Sequence, residues 1–417
     1  MKRRVFLKQS IMASAGLAVS PWVISGDSAD SFISTEIEYG KSNYTDIKVL
    51  VLEGTPRKRG QIHGESLRKG ISEIIQIWKE ELQKARQTEP NKYIEEFLEK
   101  TNFAPAIKKW TPHLLEEVKG IAEGSGIDYK TVFAFQLHDE EWWYGLHKRF
   151  QIPLPKTQHC SALGVFGQKG IPSLLAQNMD IMTYTDGYEV LFHIKPQDSP
   201  VESFIFTFAG LIATNGMNNH SIGICCNTLL QLDHCGDGLP VAYIVRGVLD
   251  QEKYEGAVKF IHDIKHASGQ NYTIGGPKEV AAFECSSNKV SRFIPYKGAT
   301  RVYHTNHPLV NDDQSIYKEV LKKLPAERRP KSPGNSEIRL TALEKRLKDP
   351  SKRITVDTVK ATLSSHDDPK NPVCNHLAKQ RARSFSAGCM VMELGKPPVL
   401  HLAPGPPCST EFKAYKF

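Results

Sequence analysis

Apolar side chains recur at helical spacing through the first third of the chain after residue 45. On one predicted helix the apolar face consists of Ile71, Ile74, Ile75, Trp78 and Leu82. A second helix is predicted to begin at Thr111-Pro112 and to end at Gly124-Ser-Gly126, and a third spans 129–137. Residues from 45 to 145 are therefore predicted to be mostly helical.

Beyond residue 160 the apolar runs shorten and alternate with turn residues, which is typical of strands. Residues 160–166 and 172–180 are predicted to form a hairpin around Gly167-Gln-Lys-Gly170. Further strands are predicted at 190–194, 204–208, 222–227, 280–284, 302–304, 389–394 and 399–402. Helices are predicted at 238–248, 255–266 and across much of 311–362. This grouping predicts an α+β fold in which helices cover antiparallel sheets.

Two segments between these regions differ from both in composition. The run Glu140-Glu-Trp-Trp-Tyr144 combines acids with aromatic rings, and we interpret it as core, with a ligand cleft as the alternative. Residues 147–159 contain Pro153 and Pro155 and indicate an irregular linker.

The first residues of the chain have the pattern of an export signal. Residues 2–8 are basic and include Arg3-Arg4 followed by Val-Phe-Leu-Lys, and small apolar residues follow from Ile11 to Val19. This apolar stretch is too short to span a membrane as a helix. We predict a twin-arginine signal over residues 1–26, and hence an exported, periplasmic bacterial protein without a stable membrane anchor. An ordinary secretory leader is the alternative.

Composition excludes several classes of protein. The 417 residues carry a formal net charge of +8, and four of these charges come from residues 2–8, so nucleic acid is not a predicted partner. The eight cysteines show no compact disulfide framework and no Cys-x-x-Cys pair, and no disulfide is assigned. His304 and His307 lack a third ligand at convincing spacing, and nucleotide and zinc-protease motifs are absent from the sequence. We expect no metal and no cofactor.

Cys160 begins the first strand of the predicted hairpin, and Asp180 ends the second. If Gly167 and Gly170 flank the turn, Cys160 lies opposite Gln177 and Asp180 lies beside the start of the first strand. A cut before Cys160 would free an α-amino group with an unperturbed pKa near 8, which can accept the thiol proton. The thiolate could then attack an acyl carbonyl. A buried strand cysteine beside an ordinary hairpin aspartate is the alternative.

Several short motifs, taken in order, resemble the acyl-coenzyme A:6-aminopenicillanic acid acyltransferase family. Gln177-Asn-Met-Asp180 is similar to the family's Gln-Asn-Trp-Asp, and His304-Thr-Asn-His307 is similar to a characteristic tetrapeptide. Other similar segments are Arg59 to Glu65, Gly120 to Gly124, Gly216 to Asn218 with Ile222 to Ile224, Gly238 to Pro240 with Arg246, and Pro372 to Cys374. The resemblance covers nearly everything after residue 45.

This resemblance implies an N-terminal-nucleophile (Ntn) hydrolase with a four-layer αββα sandwich, made as a precursor that cuts itself before its nucleophilic cysteine. Together with the predicted signal over residues 1–26, the resulting parts are a mostly helical pro-segment or small subunit over 27–159 and a catalytic body over 160–417. The implied activity is amide hydrolysis or acyl transfer at a linear amide C–N bond. The expected partner is a small N-acyl amide, and association of the two cleavage fragments is a further expectation.

Position by position, the resemblance makes Cys160 the nucleophile and Asp180 the acidic partner of its amine. Asn306 is implied as an oxyanion donor, because a side-chain amide can donate to a developing negative charge. Arg383 is implied as the arginine that holds Asp180 or a substrate carboxylate, with Arg381 as its rival.

Asn178 and Asn227 are weaker candidates for substrate binding, and two departures from the family pattern affect self-cleavage. His159 precedes the predicted cut where the family commonly has Gly, and a bulkier residue restricts the strained backbone that favours an N-to-S acyl shift. Ala382 stands where the family has Ser, and Ser384 follows it. These departures motivate an alternative function, an exported binding protein that keeps the fold without processing itself.

Overall fold

The structure is a computed structural model that describes residues 46–148, 160–330, 332–376 and 384–417. Arginine 383 and histidine 159 lie outside these ranges. Residues 46–148, the described N-terminal part, form one strand and seven helices. They are β1 (Lys48–Gly54), α1 (Pro56–Ser66), α2 (Arg68–Arg86), α3 (Pro90–Lys100), α4 (Ala104–Trp110), α5 (Pro112–Ser125), α6 (Tyr129–Phe135) and α7 (His138–Lys148). The helices predicted from periodicity are present, and Gly126 ends α5 with φ of 77°.

The part after Cys160 supplies most of the strands. In chain order they are β2 (Ser161–Val165), β3 (Leu174–Met182), β4 (Glu189–Pro196), β5 (Ser203–Phe208), β6 (Asn215–Asn218), β7 (Gly223–Thr228), β8 (Gln270–Gly275), β9 (Val280–Cys285), β10 (Val290–Phe293), β11 (Arg301–His304), β12 (Ser384–Glu393), β13 (Val399–Ala403) and β14 (Lys413–Tyr415). Helices α8 (Val241–Leu249) and α9 (Tyr254–Asp263) follow β7, and α10 (Ser315–Lys323), α11 (Asn335–Leu347) and α12 (Val356–Leu363) follow β11. Within the described ranges, none of the helices is both long enough and apolar enough to cross a membrane.

The strands form two sheets. One has eight strands in the order β1-β4-β5-β6-β7-β8-β9-β10, and the other has six in the order β11-β2-β3-β12-β13-β14. Their inner faces share one apolar cluster, in which Ala162 and Met390 of the smaller sheet meet Phe206 and Met217 of the larger. Strands buried in this way carry near-continuous apolar runs, which is why the sequence predicts most of them.

Helices cover the outer faces of both sheets. Leu343 of α11 and Val359 of α12 pack on Leu163 and Val391 of the six-stranded sheet. Helices α8 and α9 contact β6, β7 and β8 of the eight-stranded sheet. The layer order is helix, sheet, sheet, helix, so the predicted α+β sandwich is confirmed.

The N-terminal part is built into the sandwich. Strand β1 pairs in parallel with β4 at the edge of the eight-stranded sheet, a pairing that the sequence analysis does not anticipate. Helices α1 and α5 touch through their backbones, and a Cβ added to Gly60 would lie 1.9 Å from the carbonyl oxygen of Glu117. The Glu117 carboxylate is buried and accepts hydrogen bonds from Arg59 at 3.1 Å and from Arg246 of α8 at 3.0 Å. Burial raises the pKa of Glu117, but Arg246 and Arg59 together lower it to about 2, so a charged network joins the two parts.

The predicted register of the β2–β3 hairpin is wrong. Ser161 pairs with Asn178 and Gln168 bridges Ile171, so the ladder continues from Cys160 toward Met179 and not toward Gln177. The turn is centred on Lys169-Gly170, because Gly170 has a φ of 75°, which suits a central position of a tight turn and not its flank. The corrected register brings Cys160 closer to Asp180 along the neighbouring strand.

Candidate active site

A cavity with a volume of about 70 Å³ lies beside Cys160. Its wall is mainly apolar and includes side chains from α2, α6 and β5, namely Ile74, Phe135 and Phe208. The polar groups at the wall include the side chains of Asp139, Asp180 and Thr228. An apolar wall with a few polar groups next to a thiol can hold an acyl chain and present its carbonyl to the sulfur.

The thiol of Cys160 lies immediately before β2 and is only 7% exposed. Its Sγ is 3.5 Å from the carbonyl oxygen of Asp180 and 3.9 Å from the sulfur of Met179. Burial, and after it the negative charge of Asp180, raises the pKa of this thiol to about 12. The sulfur therefore stays protonated at neutral pH unless a base removes its proton.

Asp180 is held on one side only. It lies in β3, and a β-bulge between Ser386 and Gly388 of β12 accompanies the pairing of Ser386 with Asp180. The hydroxyl of Ser386 donates to Oδ1 of Asp180 at 2.6 Å, while Oδ2 is buried without a hydrogen-bond partner among the described residues. Burial raises the pKa of Asp180 to about 7, and Ser386 and Arg339 oppose that rise. This carboxylate oxygen is therefore suited to accept a hydrogen bond from a cation.

Arg339 of α11 connects the backbone of Cys160 to the loop after β11. Its guanidinium is fully buried and donates to the carbonyl oxygen of Cys160 at 2.8 Å and to the hydroxyl of Ser161 at 2.8 Å. The same group donates to Oδ1 of Asn306 at 3.0 Å and to Oδ1 of Asn335 at 2.7 Å. Burial lowers the pKa of Arg339 to about 10, so the group is still cationic at neutral pH. It fixes the backbone of residue 160 and places a positive charge close to the thiol.

Asn306 is linked to Cys160 by Arg339, which donates hydrogen bonds to both residues. Its Nδ2 donates to the carbonyl oxygen of Thr228 at 3.1 Å, and its backbone N–H donates to Ser336 Oγ at 2.7 Å. Among the described residues, Thr228 lines the cavity and Asn306 does not. The oxyanion role of Asn306 stays a prediction.

The histidines on either side of Asn306 support its loop. His304 is buried and its Nε2 lies 2.8 Å from a carboxylate oxygen of Glu284. His307 makes a 2.7 Å hydrogen bond to Ser336 through Nδ1. Through these contacts the two histidines hold the loop in the position in which Asn306 donates to Thr228.

The two weaker asparagine candidates bond to backbone or side chains away from the cavity. Asn178 donates through Nδ2 to the carbonyl oxygens of Leu363 at 2.8 Å and Val373 at 2.9 Å. Asn227 accepts a 3.0 Å hydrogen bond from Asn271 through Oδ1. Neither is among the described residues that line the cavity, and their substrate-binding role stays a prediction.

The remaining site predictions concern residues that the structure does not describe. Arg383, its rival Arg381 and the neighbouring Ala382 lie between the described ranges, as does His159 at the predicted cut. Among the described residues, Arg339 donates to Cys160, Ser161 and Asn306, whereas Asp180, which Arg383 is predicted to hold, accepts its hydrogen bond from Ser386.

Three residues of the site were missed by the sequence analysis. Arg339 is 179 positions from Cys160 and sits in a charged helix, so no local pattern marks it. Ser386 interrupts the apolar run of β12, and a hydroxyl in a fully buried strand is a signal that could have found it. Asp139 lines the cavity and accepts a 3.1 Å hydrogen bond from Thr228. Burial raises the pKa of Asp139 to about 6.

The run of acidic and aromatic residues in α7 contributes both to the core and to the wall of the cavity, so both interpretations of it apply. Trp143 is 2% exposed and donates through Nε1 to the carbonyl oxygen of Leu232 at 3.3 Å, as expected of a core residue. Its neighbour Trp142 is half-buried and lines the cavity, as expected of a ligand cleft. Adjacent residues on a helix point in different directions, so one run serves both purposes.

The family model for acyl-coenzyme A:6-aminopenicillanic acid acyl-transferase matches residues 166–384. The match spans more than half of the 417 residues, and the chain therefore belongs to this family. The matched range includes Asp180, Asn306 and Arg339 and begins after Cys160.

Comparison with individual proteins adds one curated relative. Protein dcd1A of Dictyostelium discoideum is 32% identical over 233 residues, which are 49% of this chain and 49% of that protein. The chain thus spans about half the length of the curated relative it matches.

Solved structures also resemble the chain. An N-acylethanolamine-hydrolyzing acid amidase ortholog of Caenorhabditis elegans is 13% identical with a TM-score of 0.39, over 62% of this chain and 100% of that one. Penicillin V acylase from Agrobacterium tumefaciens is 14% identical with a TM-score of 0.40, over 62% of this chain and 86% of that one.

Proposed function

We propose that this protein is a thiol-dependent Ntn enzyme that breaks or transfers a linear amide bond after a cut before Cys160. The observation that carries the proposal is the position of the Cys160 sulfur, at the wall of an apolar cavity and beside Asp180. One carboxylate oxygen of Asp180 has no hydrogen-bond partner among the described residues. A nucleophile, a place for an acyl chain and an acceptor for a cation therefore occur together.

The cut supplies the base that the thiol lacks. With a pKa of about 12 the sulfur of the uncut chain is almost wholly protonated at neutral pH. A freed α-amino group on Cys160, with an unperturbed pKa near 8, can take the thiol proton. The resulting ammonium group would donate to Oδ2 of Asp180, whose negative charge stabilises it. In this proposal cleavage changes Cys160 from an unreactive thiol to a nucleophile.

The proposed reaction has two steps. The α-amine accepts the thiol proton while sulfur bonds to the amide carbonyl carbon, and the carbonyl oxygen becomes an oxyanion. The side-chain amide of Asn306 is the proposed oxyanion donor. The C–N bond then breaks, and the ammonium returns its proton to the leaving amine, which leaves a thioester on Cys160. Water hydrolyses the thioester, or a second amine accepts the acyl group. We favour hydrolysis because water is the default acceptor.

The substrate class follows from the cavity wall. Apolar side chains from both the N-terminal part and the sandwich line the cavity beside Cys160, including Phe135, Trp142 and Phe208. Binding in such a cavity is more favourable in free energy for an apolar acyl group than for a charged one, because a charged group loses its hydration. We therefore propose an N-acyl amide with an apolar acyl group as the substrate.

The fragments on either side of the cut are proposed to stay together. Strand β1 pairs with β4 along its whole length, and Glu117 is charge-paired with Arg246 in the interior. Glu140 of α7 also accepts a hydrogen bond from the backbone N–H of Val241 at 3.1 Å. Separation would break these hydrogen bonds and remove the charged partner of Arg246, which is costly. Size-exclusion chromatography of the cut protein is expected to give one peak that contains both fragments.

We propose export through the twin-arginine route, on the basis of Arg3-Arg4 and the apolar residues after them. Replacing both arginines by lysine keeps the charge and removes the paired guanidinium groups. Cell fractionation is expected to find the native chain in the periplasm and the R3K/R4K variant in the cytoplasm. Equal periplasmic amounts of both would contradict this route.

Intact-mass measurement combined with an amidase assay tests the central proposal. The purified protein is expected to contain a fragment that begins at Cys160 and to hydrolyse at least one member of a panel of N-acyl amides. The Cys235→Ser variant changes a thiol outside the site, which donates to the carbonyl oxygen of His266 at 3.3 Å, and is expected to behave like the native protein. An uncut, inactive chain that still binds N-acyl amides would favour the alternative, an exported binding protein.

A further inference from the structure

Four side chains with metal-binding atoms meet away from the cavity. They are His366, Cys374, His376 and Cys408, and one ligand atom from each lies within 4.8 Å of all the others. The first three follow α12, and Cys408 lies in the loop after β13. Both thiols are free.

The distances suit one small cation. The sulfur atoms of Cys374 and Cys408 are 3.2 Å apart, and the ring nitrogens of His376 are 3.4 Å from the sulfur of Cys408. The imidazole rings of His366 and His376 are stacked, with centroids 4.3 Å apart. In a tetrahedral zinc site with bonds of about 2.0–2.3 Å, neighbouring ligand atoms are about 3.3–3.8 Å apart. Small side-chain movements are enough to reach that arrangement.

The donor set indicates which cation binds. Two thiolates and two imidazoles form the Cys₂His₂ set that is typical of structural zinc sites. Hard cations such as Mg²⁺ and Ca²⁺ prefer oxygen ligands, and the cluster offers none of them. With four protein ligands the site is closed, so its expected contribution is to stability and not to catalysis.

The cluster lies one residue away from a chain of hydrogen bonds that leads to the active site. Asn375, between two of the ligands, donates its backbone N–H to Ser386 Oγ at 2.9 Å. Ser386 in turn donates to Asp180 Oδ1 at 2.6 Å. The carbonyl of Val373 accepts the side-chain amide of Asn178 at 2.9 Å. A cation at the cluster would hold this segment in the position that orients Asp180.

We propose that His366, Cys374, His376 and Cys408 form a zinc site that ties the loop after β13 to the segment before β12. The site joins two stretches that are distant in sequence and carry little secondary structure of their own. Because unfolded chains do not preserve such a site, zinc binding adds to the stability of the folded chain. The proposal concerns a site separate from the reaction at Cys160.

Metal analysis of the full chain tests the proposal. Protein purified with zinc present and then desalted is expected to contain about one zinc ion per chain by mass spectrometry, as one closed site requires. The Cys408→Ser and His376→Gln variants are expected to lose at least about ten times in zinc affinity, since each removes one of four ligands. Cobalt(II) in place of zinc is expected to give the visible absorption of a tetrahedral thiolate site, and this absorption should vanish in Cys408→Ser.

Controls separate this site from folding and from the proposed reaction. His376 and Cys408 are exposed, so their replacement leaves the core unchanged, and circular dichroism checks the fold. Cys235→Ser removes a thiol outside the cluster and is expected to keep its zinc. The Cys160→Ala variant is also expected to keep its zinc, even if it has no activity. Equal zinc content in native protein and Cys408→Ser, or a Cys374–Cys408 disulfide found by peptide mass mapping, would overturn the proposal.

Discussion

Cys160 and Cys408 place the same thiol group in two different surroundings. The sulfur of Cys160 is buried between the sheets, beside the carbonyl of Asp180 and the side chain of Met179. The sulfur of Cys408 is exposed and lies beside a second thiol and an imidazole. The first environment offers an acyl chain a place to bind, and the second offers a cation its ligands.

This difference shows that neighbours decide what a cysteine does. Burial and a carboxylate disfavour the thiolate at Cys160, so this thiol needs a local base before it can act as a nucleophile. At Cys408, three further donors converge, and a cation can replace the thiol protons. The two regions nevertheless communicate, because Asn375 and Ser386 link the cluster to Asp180.

Removal of the thiol at Cys160 is the strongest test of this comparison. Cys160→Ala is expected to lower kcat/KM for amide hydrolysis by at least about 10³-fold, because the proposed acyl intermediate forms on the Cys160 sulfur. The assay is hydrolysis of the best amide from the panel. Cys408→Ser is the matched control and should retain most of its activity. Full activity in Cys160→Ala would show that Cys160 is not the nucleophile and would contradict this difference between the two cysteines.

Arg339 is expected to position Cys160 and to tune its charge. Arg339→Met is expected to lower kcat/KM by about 10- to 100-fold, because charged hydrogen bonds to Cys160 and Asn306 are lost. The positive charge of Arg339 lowers the pKa values of both Cys160 and Asp180. Its removal should therefore raise both pKa values and move the acidic limb of the pH–rate profile to higher pH.

A control on the same helix distinguishes this effect from general damage to α11. Arg346 pairs with Asp367 at 2.8 Å near the surface, and Arg346→Met should leave the pH profile unchanged. A loss of activity in Arg339→Met without any shift in the profile would indicate a purely structural role for that residue.

Alkylation rates compare the two thiols directly. In the uncut chain treated with a chelator, iodoacetamide is expected to label Cys408 much faster than Cys160 at pH 7. With a pKa of about 12, only about one Cys160 in 10⁵ is a thiolate at that pH, and the rate should rise about tenfold per pH unit. Peptide mass mapping of cut and uncut chains in one sample measures both rates. Rapid labelling of Cys160 in the uncut chain at pH 7 would contradict the assigned role of the α-amine.

Zinc removal is expected to have the smallest effect of the four. Chelation should lower the Tm of the native chain by about 5 °C, because the loop after β13 loses one of its attachments. His376→Gln should melt at the lower temperature with or without chelator. Differential scanning calorimetry measures both, and an unchanged Tm in the native protein would mean that the cluster adds nothing to stability.

The sequence predicted the sandwich well because burial leaves a local record. Strands such as β5 and β12 lie between two layers and are apolar at most of their positions, and α2 is apolar on one face. Strand β1 was missed although Val49, Leu50, Val51 and Leu52 form an apolar run. This edge strand was missed because the residues that follow it are helical and because its partner β4 lies far along the sequence.

The hairpin around Cys160 shows where local reasoning loses accuracy. Its existence followed from the strands and the glycines, but its register depended on which glycine takes a positive φ. Either position was compatible with the sequence, and the choice moved the partner of Cys160 from Gln177 to Met179 along the ladder. The prediction that Cys160 lies near Asp180 was still correct, because both registers bring the start of β2 close to the end of β3.

The sequence by itself determined the class of fold and the candidate nucleophile with its acidic neighbour, because these depend on residues close together in the chain. Only the tertiary structure brought Arg339 and Ser386 to Cys160 and Asp180, and only it gathered His366, Cys374, His376 and Cys408. These contacts join segments separated by tens to hundreds of residues. Such contacts arise from the packing of helices and loops on the sheets, and packing leaves no periodic pattern in the sequence from which it can be predicted.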